Sequence, residues 1–142
     1  MKNLFLILLP FLLFNALYAQ EKKAPIENKF QAEIKFEEEL FDFGTIKEGE
    51  IVTKEFRFTN VGDSILLIKD VKTSCGCTVT EWPKGIIKPG ESEVIKVIFN
   101  SAGKPGRNRK SIVVISNSKK GNVTITISGT VGQEEKPSTP KK

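Results

Sequence analysis

The residues best suited to chemistry lie in one short stretch, Thr73-Ser74-Cys75-Gly76-Cys77-Thr78-Val79, which holds both cysteines of the chain. On an extended strand, side chains at i and i+2 leave the same face. Their Cα atoms are then roughly 6.6 Å apart, at the long edge of what a disulfide tolerates. Gly76 between them permits a bend that shortens the gap. Cys75 and Cys77 can therefore close a small, strained ring, and strained disulfides are labile and oxidising. They can equally grip one soft metal ion as a pair of thiolates. They can also pack as two small apolar residues in a tight turn. Spacing alone leaves these three open.

The rest of the composition narrows the chemistry. The chain has no histidine, and its only methionine is Met1. A structural zinc site wants four ligands, usually Cys or His, and a copper site wants His, Cys or Met. Cys75 and Cys77 could thus supply only a metal half-site, completed by a second chain, another protein or carboxylates. Ser-His-Asp and Cys-His catalysis lack their base, and the Cys-x-x-Cys-His attachment for haem is absent. No cofactor and no catalytic residue are assigned. The one enzymatic alternative is a thiol-disulfide oxidoreductase, for which Lys72 and Lys84 are the cations close enough in sequence to lower a thiol pKa.

These residues must be carried to some compartment and held by some framework. The chain opens Met1-Lys2-Asn3 and then runs apolar from Leu4 to Leu17, interrupted by Pro10 and Asn15. One positive charge, an apolar block too short to span a bilayer comfortably, and small residues at Ala16 and Ala19 make the layout of a secretory signal peptide, residues 1–19. The expected product is periplasmic or secreted, in an oxidising place, with no later transmembrane segment. Residues 20–35 read as a flexible polar spacer and 133–142 as a disordered tail. The formal net charge of +5 is spread over the chain. Without an aromatic-basic stacking surface it does not suggest nucleic acid, and it reads as a solubility feature.

Between the flanks the pattern is all-β. Phe41 and Phe43 share a face ahead of Gly44; Val52, Phe56 and Phe58 oppose Thr53, Glu55, Arg57 and Thr59. The continuous run Ile65-Leu66-Leu67-Ile68 suits a strand covered on both faces. Thr78 to Trp82 is short and stopped by Pro83. Ile95, Val97 and Phe99 fall together, Ser111 to Ser116 is β-branched, and Val123 to Ser128 alternates. Arg107, Arg109 and Lys110 read as a basic cluster leaving a Gly/Pro loop. Trp82, the only tryptophan, suits a half-buried edge of the core. No helical period appears in the exported part. About seven short strands with regular Gly/Pro turns predict an immunoglobulin-like antiparallel β-sandwich over residues 36–132.

Four segments taken together, Phe41-Asp42-Phe43-Gly44-Thr45-Ile46, Phe56-Arg57-Phe58-Thr59-Asn60, Ser74-Cys75-Gly76-Cys77-Thr78 and Pro89-Gly90-Glu91, resemble the bacterial domain-of-unknown-function family 1573. The resemblance covers about Phe36 to Gly132 and implies a sandwich similar to immunoglobulin-like and major-sperm-protein-type domains. It also implies export, and no assigned activity. The expected function is therefore a non-catalytic binding or structural module of the cell envelope, its partner a protein or envelope component. The expected contact is an end loop carrying Cys75, Gly76, Cys77 and Trp82. A thiol-disulfide carrier or a metal half-site at the same cysteines is the alternative.

Overall fold

A computed structural model describes residues 30–132. The expected signal peptide (1–19), the first ten residues of the expected spacer (20–29) and the expected tail (133–142) lie outside the described residues. Eight strands follow in order: β1 (Ile34–Phe36), β2 (Leu40–Lys47), β3 (Ile51–Asn60), β4 (Ile68–Thr73), β5 (Thr78–Glu81), β6 (Ser92–Asn100), β7 (Gly106–Ser116) and β8 (Val123–Gly132). They form two four-stranded sheets, β1-β3-β6-β5 and β2-β8-β7-β4. The chain is the two-layer β-sandwich that the alternating pattern predicts.

The core is built from the faces the alternation picked out. Phe56, Phe58, Ile95 and Phe99 are fully buried, facing Ile112, Val114, Ile125 and Ile127 of the other sheet. Phe43 stacks on Phe99 with ring centroids 5.6 Å apart, which joins β2 to β6 across the layers. Phe41 and Val52 pack against the same cluster from its margin.

Four local expectations are corrected. First, the sandwich is not wholly antiparallel: β2 runs parallel to β8. The chain crosses from one sheet to the other after β1, so β2 joins the last strand instead of its neighbour in sequence. Second, the fold starts before residue 36. Ala32 and Ile34 are buried, and Ile34 pairs with Asn60, so the end of the presumed spacer belongs to the sandwich. Third, the run Ile65 to Ile68 is not a doubly covered strand. Leu66 is buried and bridges Ile87, whereas Ile65 is exposed, and only Ile68 enters β4, an edge strand. Fourth, Arg107, Arg109 and Lys110 lie within β7, not in a loop. Their strand is disguised in the sequence because its buried member there is polar: Asn108 donates to the carbonyls of Lys104 and Gly106.

The loops gather at two poles. At one, the β3–β4, β5–β6 and β7–β8 connections surround the entering chain. Asn60 N bonds Glu91 O, Val61 N bonds Glu33 O, and Lys119 N bonds Ala32 O. At the other stand the β2–β3 turn, the β6–β7 loop and the end of β8, where Lys47 pairs with Gly132 and Ile51 with Asn100. The Cys75-Gly76-Cys77 turn belongs to this second pole, since Asn100 N bonds Cys77 O.

Candidate functional site

β4 and β5 are edge strands of different sheets, and residues 74–77 carry the chain from one layer to the other. The crossing is pinned on both sides. Ser74 N donates to Ser111 O (3.1 Å), and Ser111 N returns a bond to Ser74 Oγ (3.3 Å), fixing the turn to β7. Asn100 N donates to Cys77 O (3.1 Å), fixing it to β6. Within the turn, Thr73 Oγ1 and Thr78 N both donate to Cys75 O, at 3.0 and 3.4 Å.

Cys75 and Cys77 are joined as a disulfide, with Cα atoms 5.4 Å apart. The bend at Gly76 brings them inside the extended spacing, as the sequence suggested. Because the sulfurs are bonded to each other, the pair in this state is not a metal half-site. Among the described residues no group of three or more His, Cys, Asp or Glu could hold a metal ion. Both cysteines are half-buried, while Gly76 is exposed, and a methyl group added at Gly76 would meet nothing within 4 Å. Cys75 Sγ lies 3.8 Å from the hydroxyl of Thr78.

Beside the turn, on the outer face of the β1-β3-β6-β5 sheet, is a shallow groove of about 370 Å³ lined by Ile51, Gly76, Cys77, Val79 and Ile98, with Asn100 and Ala102 of the β6–β7 side completing it. The register places Val79 opposite Ile98, and Ile98 opposite Thr53. Ile51 is 64% and Val79 57% exposed, and here, unlike the similarly exposed Phe30 and Ile86, two such side chains line one groove. No charged side chain lines this groove. Two further grooves, by contrast, include Asp42 with Arg107, and Lys119.

Trp82 is separated from the cystine. Cys77 precedes β5 and Trp82 follows it, so the two do not form the single end loop expected from the sequence. The alternation that sends Thr78 inward also sends Trp82 inward, where it packs against the core. Lys84 Nζ lies 3.0 Å from its ring centroid, covering the exposed face by a cation–π contact. Trp82 is thus a capped core residue. Lys84 is engaged there, beyond the far end of β5 from the sulfurs. The groove residues Ile51, Val79 and Ile98 are not apparent from sequence reading, because their signal, apolar residues on the solvent face of alternating strands, appears only once strand register is known.

Fold and site together define a two-layer, immunoglobulin-like sandwich whose inter-sheet crossing is closed by a local cystine next to an apolar groove. The family model described as "Protein of unknown function (DUF1573)" matches residues 34–131, and the chain belongs to that family. No curated protein matches it. Among solved structures, a protein of unknown function from Porphyromonas gingivalis W83 superposes with a TM-score of 0.65 at 19% identity, over 76% of this chain and 51% of that one. This chain therefore spans about half the length of that relative. The ASH/PapD-like domain 7 of human CEP192 superposes with a TM-score of 0.63 at 11% identity, over 82% and 97%. The VesB protease of Vibrio cholerae gives 0.54 at 17% identity, over 72% of this chain and 32% of the protease. At these identities the likeness is one of fold, and neither family nor fold carries a sign of catalysis.

Proposed function

We propose that this chain is an exported, non-catalytic binding module of the cell envelope that meets a protein partner at its cystine pole. The observation that carries the reading is the juxtaposition of an uncharged groove, two strongly exposed apolar side chains and a turn held rigid from both sheets. Exposed apolar patches on otherwise polar surfaces mark contact sites. Fixing the turn beforehand reduces the entropy lost when a partner binds. The apolar leader Leu4 to Leu17 supports export.

The test has two parts. Fractionation of the native cells should place the protein outside the cytoplasm, beginning near Gln20. A photo-reactive side chain at position 79 should then give a discrete cross-linked product in cells, and one at Lys88, on the opposite pole, should not. The variant Cys75→Ser/Cys77→Ser should keep the β-sheet circular dichroism of the parent, because β4 and β5 remain paired to β7 and β6. Products of equal yield from both positions would refute contact through this pole.

A further inference from the structure

We propose that the cystine is a thiol-exchange site, and that the groove beside it selects an extended, uncharged, apolar peptide segment carrying a cysteine. The inference rests on the contact reading above and gives the partner's chemistry. Cys77 belongs both to the groove wall and to the disulfide. The groove formed by Ile51, Val79 and Ile98 therefore ends at Cys77, which is half-buried and also packs against the core. Gly76 carries no side chain, and beyond its two chain neighbours no heavy atom stands within 4 Å of where its Cβ would be, so the exposed side of the turn between the two cysteines is open. Among the described residues β5 is the last strand of its sheet and pairs only with β6. An extended segment can add there by main-chain hydrogen bonds, its outward side chains meeting Val79 at the near rim of the groove.

The exchange is written from Cys77. A thiolate of the partner attacks Cys77 Sγ. A new sulfur–sulfur bond forms between partner and Cys77, the Cys75–Cys77 bond breaks, and Cys75 leaves as a thiolate. The hydroxyl of Thr78, 3.8 Å from Cys75 Sγ in the oxidised state, is placed to donate to that thiolate. Cys75 then takes up a proton, replacing the one the partner thiol lost. A second thiol of the partner attacks the partner's own sulfur in the mixed disulfide and releases Cys77, which is protonated in turn. The partner dithiol is oxidised to a disulfide, and the Cys75/Cys77 pair is reduced to a dithiol. The oxidant is the cystine itself, used once. The sandwich survives the reduction because the backbone bonds from Ser74 and Cys77 to the two sheets do not involve sulfur.

The experiment uses the oxidised exported protein and three synthetic peptides of equal length and charge. In one, a single cysteine is flanked by valines; in the second it is flanked by serines; in the third the valine peptide carries alanine for cysteine. Mixed disulfide is acid-quenched, counted by mass spectrometry and mapped by fragmentation. The valine peptide should react about tenfold faster than the serine peptide, the equivalent of roughly 1.4 kcal/mol of groove contact, and should attach to Cys77. Val79→Asp, at an exposed position, should erase the difference with the sandwich intact by circular dichroism. Equal rates for the two cysteine peptides, or attachment to Cys75, would overturn the proposal. Should the alanine peptide bind while the valine–cysteine peptide fails to exchange, exchange is refuted and the contact reading stands. Should none of the peptides bind or react, both fall.

Discussion

Asn60 is fully buried at the end of β3, and its side chain is used entirely on backbone groups. Nδ2 donates to Ser64 O (2.8 Å) and Ile87 O (3.0 Å), while Oδ1 accepts from Gly62 N (3.1 Å) and Glu33 N (3.3 Å). One amide thus ties together the entering chain, the β3–β4 loop and the β5–β6 connection. Asn60→Ala would leave buried donors and acceptors unpaired, and should lower the unfolding free energy in urea by about 2–3 kcal/mol. The sequence identified Asn60-Val61-Gly62-Asp63 as a turn, which it is. It concealed the hub, because Glu33 and Ile87 each lie 27 residues away and nothing local marks them as partners. The cysteine pair was a more local case: its spacing and the glycine between allowed a disulfide in advance, but the metal half-site and packed-thiol alternatives stayed open until the turn placed the Cα atoms 5.4 Å apart. Trp82 lay between these extremes. Its half-burial could be read from its type, but its separation from the cystine required the length of β5.

Strand positions were readable wherever apolar residues alternate, as in β3, β6 and β8. Pairing was not, because alternation specifies a face and leaves the neighbour open. The parallel β2–β8 contact shows what decides it. Phe43 of β2 lies over Gly129 of β8, and a side chain at 129 would run into the Phe43 ring and the Gly44 carbonyl. The missing side chain at 129 is what lets the edge strand settle close and brings Phe43 to Phe99. Gly129→Ala should therefore cost about 1–3 kcal/mol by overpacking, with the loss seen in thermal unfolding. Gly129→Ala should cost less when added to Phe43→Ala than to the parent, because the ring is part of the clash, while the Gly44 carbonyl keeps the remainder. β7 was half concealed for a different reason. Its first residues are basic or polar on both faces, so the strand was visible only from Ser111 onward.

At the scale of the whole molecule, the entering segment is fastened by charge as well as by strand pairing. Lys119 and Lys120 of the β7–β8 connection reach Glu33, at 2.6 and 3.2 Å. Hydrogen bonds from Lys119 and then Lys120 hold the Glu33 carboxyl below its ordinary value, and the same contact raises Lys119. A carboxyl lowered in the folded state adds stability above its unfolded pKa, and that stability is lost as pH falls through the lowered one. The melting temperature should decline as pH drops from about 5 through the carboxylate range, and Glu33→Gln should make the decline shallower. An unchanged slope would mean the pair contributes nothing to the fold.

The two poles also set a length. β3 carries ten residues from the cystine end to the entry end, a rise of roughly 30 Å. A body attached at the entry end would therefore stand about a strand's length from the sulfur atoms. Joining a second body in tandem at Gly132 would bury the cystine end against a neighbour. Joining one ahead of Phe30 would leave it clear.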